Sequence, residues 1–218
     1  FSKALLKTGG KLLHLSSDFV FNGKQGIPYQ VSQSREPLGI YGKSKAAGEV
    51  EIENILKGKN QAVILRTSWL MGPVGRNFAL TMIKLHNERD ELRVVSDQVG
   101  APTSTLTLSS ICWQLINQSE EIITSKGELP MIMHWCDAGV ASWYDIAFCI
   151  GEIGKQLGLI KNPAKVIPIS TDDYPTEAKR PRYSLLDCTE TRDILNVTPT
   201  HWRTALRKVL LSVSIDSS

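Results

Sequence analysis

The fold is decided by three stretches, KLLHLSS (11–17), IYGKSKAAGEVEIENIL (40–56) and AVILRTSW (62–69). The first and the last are short apolar runs, which is typical of parallel strands that are covered on both faces. The middle stretch has apolar residues at helical spacing and ends before Gly58. A strand, a helix and a strand in this order predict a parallel β-α-β unit.

The same alternation continues to about residue 160. Further helices are predicted at 78–89, 106–118 and 142–158, and further strands at 92–95 and 131–136. Beyond residue 160 the sequence changes to short apolar pieces broken by prolines, followed by a last helix at 201–211. We therefore predict an α/β protein with a doubly wound parallel sheet over 1–160 and a small cap over 161–218.

The composition excludes several classes of protein. The 218 residues include 25 basic and 22 acidic ones that are scattered along the chain, so they form no basic stripe for nucleic acid. No run approaches the ~18 apolar residues of a membrane-spanning helix. The four cysteines lie far apart and lack the spacing of zinc ligands. We expect a cytoplasmic protein with reduced cysteines and with neither nucleic acid nor a membrane as a partner.

Tyr41 and Lys45 lie four residues apart in a predicted helix, so their side chains project from one face, one turn apart. A phenol has an ordinary pKa of about 10 and becomes useful at neutral pH when a nearby cation stabilises the phenolate. Lys45 would be that cation, although the pair alone equally fits an exposed helix face. Ser17 ends the first strand, at the sheet edge where open parallel sheets bind ligands, and it favours the catalytic interpretation.

A Ser, a Tyr and a Lys in this arrangement resemble the catalytic set of short-chain dehydrogenases and reductases. Longer phrases resemble successive landmarks of one extended family within that group, the dTDP-4-dehydrorhamnose reductases, in the family's order and over nearly the whole chain. These phrases are SSDFVFNG (16–23), PLGIYGKSKAAGE (37–49), ILRTSWLMGPVGRNF (64–78), RVVSDQVGAPTS (93–104), HWCDAGVASWYDIA (134–147) and KRPRYSLLDC (179–188). The resemblance implies that 1–160 is the remaining, C-terminal part of an NAD(P)-binding Rossmann-like domain with interleaved substrate-binding segments. Residues 161–218 would be a small substrate-binding cap.

The resemblance also implies a role for each matching residue. Tyr41 would donate a proton, Lys45 would hold the nicotinamide ribose and lower the pKa of the tyrosine, and Ser17 would bond the C4 oxygen of the sugar. The implied substrate-binding residues are Ser17, Asp18, Phe19, Trp69, Asn77, Gln98 and Arg180, the last near the diphosphate. For Trp69 a place in the core is an alternative interpretation, and for Asn77 a helix N-cap is one. The histidines show no ligand spacing and are assigned to structure.

A dinucleotide-binding fold also needs a Gly-rich turn after its first strand, and this sequence contains no GxGxxG or GxxGxxG. Because the family carries that turn near its N-terminus, we expect either a truncated sequence or a chain without its cofactor half.

Three hypotheses follow. The first is NADPH-dependent reduction of dTDP-4-dehydro-L-rhamnose to dTDP-L-rhamnose, with NADH as an alternative cofactor. The second is a related epimerase or reductase acting on another nucleotide sugar, and the third is a non-catalytic regulatory or binding relative. The family resemblance leaves a homodimer open. The family sometimes uses Mg²⁺ between subunits, but no carboxylate cluster in the sequence demands a metal, so we assign no metal-binding residue.

Overall fold

The computed structural model describes residues 1–216, and its elements follow the predicted alternation. The helices are α1 (Ser2–Thr8), α2 (Ile40–Leu56), α3 (Phe78–Glu88), α4 (Thr105–Lys126), α5 (Trp143–Gln156), α6 (Thr189–Leu195) and α7 (Trp202–Asp216). The strands are β1 (Leu12–Ser17), β2 (Ala62–Thr67), β3 (Leu70–Met71), β4 (Glu91–Val95), β5 (Val99–Gly100), β6 (Thr103–Ser104), β7 (Ile132–His134), β8 (Ala141–Ser142) and β9 (Lys165–Ile169). A short 3₁₀ helix, Asp18–Val20, follows β1 directly.

The chain forms two compact units, and each is built from three separate segments. Unit 1 consists of Phe1–Ser68, Leu108–Cys136 and Ala178–Pro199. Unit 2 consists of Trp69–Thr107, Asp137–Glu177 and the chain from Thr200 onward. Residues 161–218, which we predicted to be one cap, therefore contribute to both units. The physical reason is that β9 pairs with β4 of unit 2, whereas α6 packs on β7 of unit 1.

The sheet of unit 1 is parallel throughout, in the order β1–β2–β7. Every residue of β2 is buried, and its side chains alternate between two apolar clusters. Val63 and Leu65 pack with residues of α4 and β7, whereas Ala62 and Ile64 pack with residues of α2. Helices therefore cover both faces of β2, which explains why its sequence is a continuous apolar run.

Unit 2 contains three strand pairs and one large apolar cluster. The pairs β3–β6 and β4–β9 are parallel, and β5–β8 is antiparallel. Residues of α3, α5 and α7 pack around β4, with Ile146, Ile150 and Leu210 completely buried. The start of α5 is fixed by a capping box in which Ser142 and Asp145 each bond the backbone N–H of the other. Within residues 1–216, no helix is long and apolar enough to cross a membrane.

Candidate active site

The start of α2 lies directly against the 3₁₀ helix that follows β1. Ser17 ends β1 and caps this 3₁₀ helix, because its Oγ accepts the backbone N–H of Phe19 at 3.1 Å. Helix α2 comes so close that a Cβ atom on Gly42 would lie 2.2 Å from the carbonyl oxygen of Phe19. Only glycine leaves room for this approach. The contact brings Tyr41, the neighbour of Gly42, to the carboxyl end of β1.

Tyr41 and Lys45 are both fixed to the segment around Ser17. The ring of Tyr41 meets the ring of Phe19 edge-on, with centroids 5.8 Å apart and an angle of 81° between the planes. The Nζ atom of Lys45 donates to the carbonyl oxygen of Leu15 at 2.8 Å. Tyr41 is 56% exposed, so it lies on the surface of unit 1. The structure thus brings the three predicted catalytic residues to one end of β1 and the first turns of α2.

Asp18 is a partner of Ser17. Its side chain is only 2% exposed, and its Oδ1 accepts a hydrogen bond from the Oγ of Ser17 at 2.9 Å. Burial raises the pKa of Asp18 to about 6, and hydrogen bonds from Ser184 and Ser17 offset part of that shift. The predicted contact between Asp18 and the sugar stays a prediction, since in this structure the carboxyl group supports Ser17.

The segment that contains Arg180 lies beside the same 3₁₀ helix. Gly23 has a φ of +71°, and a Cβ atom there would come within 2.4 Å of the Cβ of Pro181. The same segment supplies Ser184 to Asp18. Arg180 itself is exposed on unit 1. The predicted contact of Arg180 with the diphosphate stays a prediction.

A buried ion pair fixes α2 to the sheet, and the sequence reasoning missed it. Glu49, one turn after Lys45, is completely buried and accepts bonds from Arg66 of β2, from Nη2 at 2.7 Å and from Nε at 3.0 Å. Arg35 bonds the same carboxylate. His134 lies 3.3 Å from Nη1 of Arg66, and burial, with that cation, lowers the pKa of His134 to about 3. A charged residue inside the apolar run AVILRTS was the signal that could have predicted a buried partner.

Three further predicted site residues, Trp69, Asn77 and Gln98, belong to unit 2. Asn77 caps α3, because its Oδ1 accepts the backbone N–H of Leu80 at 3.3 Å. Its Nδ2 donates to the carbonyl oxygen of Gly72 at 2.9 Å. The N-cap interpretation of Asn77 is therefore confirmed, and a contact with the sugar stays a prediction.

Trp69 and Gln98 both contact Trp143, a residue that the sequence reasoning did not single out. The indole rings of Trp69 and Trp143 are stacked, with centroids 3.8 Å apart. The Oε1 atom of Gln98 accepts the indole N–H of Trp143 at 3.2 Å. Trp69 is half-buried and Gln98 is buried. No local pattern in SWYD indicates this stack, since Trp69 lies far away along the chain.

The surroundings of Lys45 fit a nicotinamide ribose. The Nζ atom carries three N–H donors, and the carbonyl oxygen of Leu15 accepts one of them. The others would be available to ribose hydroxyl groups, with the exposed Tyr41 one helical turn away. Within residues 1–216, no group of three or more His, Cys, Asp or Glu side chains could hold a metal ion. The expectation about Mg²⁺ stays a prediction.

Comparisons with known proteins identify the family of this chain. A family model described as the RmlD substrate binding domain matches residues 1–215. The dTDP-4-dehydrorhamnose reductase of Aggregatibacter actinomycetemcomitans is 37% identical over 208 residues, which are 95% of this chain and 69% of the relative. The dTDP-4-keto-6-deoxy-D-glucose reductase of Streptomyces niveus is 34% identical over 209 residues, which are 95% of this chain and 67% of that relative.

A solved structure leads to the same family. The dTDP-4-dehydrorhamnose reductase from Bacillus anthracis in complex with NADP is 32% identical and has a TM-score of 0.83, over 96% of this chain and 68% of that one. This chain thus spans about two thirds of the length of each protein compared. The likeness confirms the predicted Rossmann-like α/β fold class and the family resemblance found in the sequence. The chain belongs to the RmlD substrate binding domain family, whose named relatives include the dTDP-4-dehydrorhamnose reductases.

Proposed function

We propose that this chain carries the catalytic and substrate-binding residues of an NADPH-dependent reductase that converts dTDP-4-dehydro-L-rhamnose to dTDP-L-rhamnose. One observation carries the proposal: the close contact of Gly42 with Phe19 brings Tyr41 to the strand end that holds Ser17 and anchors Lys45. The names of the relatives and the NADP in the related structure support the substrate and the cofactor.

The reduction of a ketone needs a hydride at carbon and a proton at oxygen. Bound NADPH supplies the hydride. Tyr41, which is exposed, supplies the proton from its hydroxyl group, and such general acid help is typically worth about 10²–10⁴ in rate. Lys45, held by the carbonyl oxygen of Leu15, keeps a positive charge one turn from Tyr41 and donates to the ribose. This charge favours the phenolate that remains after proton transfer.

Ser17 binds the ketone oxygen as negative charge develops on it. The Oγ atom has one hydrogen, which in this structure is donated to Asp18. The hydroxyl group can donate to the substrate only if it rotates away from Asp18 or if Asp18 is protonated. A pKa of about 6 keeps a minor protonated fraction of Asp18 at neutral pH. Asp18 thus influences which way the hydroxyl group of Ser17 points.

A reductase acting on a different 4-keto sugar is the second candidate. The relative from Streptomyces niveus, at 34% identity, is named for dTDP-4-keto-6-deoxy-D-glucose. One hydroxyl group on a sugar can change specificity strongly when buried polar groups must pair with it. Steady-state kinetics with both dTDP-4-keto sugars would separate the two candidates by their kcat/KM values.

Assembly and location are part of the same proposal. We place the reductase in the cytoplasm. We also propose that it forms a homodimer. Light scattering of the purified protein over a range of concentrations would measure its mass, and a constant monomer mass would contradict the homodimer.

The test of the proposed function is Tyr41→Phe in the complete protein. We expect kcat to fall by about 10²–10⁴ with little change in the affinity for dTDP-L-rhamnose, because the variant loses only a proton needed in the transition state. Tyr174→Phe is the matched control, since Tyr174 is similarly exposed but belongs to unit 2. If Tyr41→Phe kept kcat within about twofold, the role of Tyr41 as the acid would be wrong.

A further inference from the structure

The backbone of Trp69 has an uncommon conformation. Its φ is +48°, in the left-handed region that bulky residues rarely adopt. Such a conformation persists only where the surrounding structure holds it, and it occurs often at ligand sites. The carbonyl oxygen of Trp69 accepts the backbone N–H of Thr103 at 3.2 Å, which fixes the peptide group after Trp69 but not the indole ring. Something else must therefore hold the ring.

Trp143 covers one face of that ring. The two indoles are nearly parallel, with 6° between their planes and 3.8 Å between their centroids. The ring of Phe78 packs on Trp143 at 4.7 Å and closes the cluster. Trp69 is only half-buried, so the stack leaves part of its indole exposed. An aromatic ring with one face covered by protein and another part exposed is suited to packing against a sugar or a base.

Trp143 is in turn held by a chain of hydrogen bonds. Its indole N–H donates to Oε1 of Gln98, and Nε2 of Gln98 donates to Oγ1 of Thr171, both at 3.2 Å. The hydroxyl group of Thr171 donates to Oδ1 of Asp97 at 2.6 Å, and its backbone N–H donates to the same oxygen at 2.8 Å. Gln98 is 5% exposed, and both ends of its amide bond protein groups. This pattern favours a supporting role for Gln98 over a direct contact with the substrate.

We propose that Trp143, fixed by Gln98, is a positioning residue that holds the indole of Trp69 in the orientation in which it contacts the substrate. The inference rests on the proposed function, in which Trp69 contacts the dTDP-sugar. In this arrangement Gln98 affects substrate binding indirectly, through the Trp143 ring that Gln98 orients. The cluster lies entirely within unit 2.

The stack has a spectroscopic signature that does not depend on substrate. Two indoles this close couple their transitions, so the wild-type protein should give an exciton couplet in circular dichroism. We expect Trp143→Ala and Trp143→Phe to abolish the couplet and Gln98→Leu to weaken it. Trp113→Phe is the matched control, because Trp113 lies 64% exposed on α4 and belongs to unit 1. A couplet that persists in Trp143→Phe would overturn the inference.

The affinity for dTDP-L-rhamnose tests the role of the stack. An aromatic pair contributes about 0.5–1.5 kcal/mol beyond its buried area, so Trp143→Ala should raise the KM of the sugar substrate and the Kd of dTDP-L-rhamnose roughly two- to tenfold. The kcat should stay within about twofold, since no proton or hydride donor is removed. Trp143→Phe should recover much of the affinity, because a phenyl ring can still stack on Trp69.

The two arms separate the inference from the proposed function. Wild-type protein with a couplet but no affinity for dTDP-L-rhamnose would contradict the proposed function. Trp143→Ala with unchanged KM and Kd, in a protein that has lost the couplet, would overturn the positioning role. Far-ultraviolet circular dichroism detects whether Trp143→Ala unfolds. If it does, Trp143→Phe and Gln98→Leu test the positioning role instead. Unchanged affinity in Gln98→Leu together with a weakened couplet would likewise overturn the inference.

Discussion

Gly42→Ala tests the contact on which the candidate site depends. The new Cβ atom would lie 2.2 Å from the carbonyl oxygen of Phe19 and 3.0 Å from the Cβ of Pro37. Ordinary contact begins at 3.4 Å, so α2 and the 3₁₀ helix must separate by 3.4 − 2.2 = 1.2 Å. Because the atom that is struck belongs to the backbone, no side-chain rotation relieves the clash. Overpacking of this kind costs about 1–3 kcal/mol.

Gly48→Ala provides the matched control on the same helix. A Cβ atom there would meet only Nε2 of His14, at an ordinary 3.9 Å. Both variants gain the same helix preference of alanine over glycine, about 0.5–1 kcal/mol. The difference between the two unfolding free energies therefore isolates the clash. We expect Gly42→Ala to be the less stable of the two by about 1–3 kcal/mol in urea denaturation.

The activity of the complete protein should separate the two variants further. A shift of about 1 Å in a catalytic group can cost on the order of 10²-fold in rate. We expect Gly42→Ala to lose about that much in kcat, since Tyr41 moves with the start of α2. Gly48→Ala should retain near wild-type turnover. Equal stability and equal kcat in the two variants would refute the argument that the Gly42 contact positions Tyr41.

Two further predictions concern buried carboxyl groups. Glu49→Gln should lower the free energy of unfolding by about 3–5 kcal/mol at pH 7 in urea denaturation, because Arg66 stays buried without its counter-charge; a loss below about 1 kcal/mol would contradict this. Burial alone would raise the pKa of Glu49, but mainly its interaction with Arg66 lowers the pKa below the ordinary value of 4.5. The stability that the charged Glu49 contributes is therefore present above pH 4.5 and is lost as the pH falls through the folded-state pKa. The Glu49→Gln variant should not show this loss. For Asp18 the dependence of stability on pH has the opposite sign. Its pKa rises from the ordinary value of 3.8 to about 6, so the wild-type protein should lose about 3 kcal/mol of stability as the pH rises through that window. Asp18→Asn should remove this slope in urea denaturation at several pH values, and an unchanged slope would show that another group causes it.

The elements that could be predicted are those whose pattern lies within one short stretch of sequence. The predicted helix at 40–56 is the observed Ile40–Leu56, since its apolar residues repeat at helical spacing up to the last turn. The predicted helix at 106–118 is longer than expected, Thr105–Lys126, because Ile122 continues the buried side beneath a polar surface. β9 lies in the segment 161–218 that we predicted to be a cap. Pro168 interrupts its apolar pattern, and its partner β4 lies far back along the chain.

In the candidate site, too, some features could be predicted from the sequence and others could not. The spacing of Tyr41 and Lys45 predicted that they share one helix face, and the family resemblance implied their roles. The contact between Gly42 and Phe19 could not be predicted, because a glycine in a helix shows only that something approaches it. The stack of Trp143 on Trp69 depends on two segments that the fold alone brings together. Residue types thus indicated which groups are candidates for the chemistry, and not which groups hold them in place.

The interleaving of the two units has a consequence for synthesis on the ribosome. β1 and β2 emerge early, but β7, the sheet partner of β2, begins 132 − 67 = 65 residues after β2 ends. At about 5–20 residues per second, that delay is roughly 3–13 s. Unit 1 also needs its last segment, which ends at Pro199, before its contacts are complete. The face of β2 that packs on α2 can be covered early, whereas the face that packs on α4 is still bare when β2 emerges, and a nascent chain in this state is a natural client for chaperones.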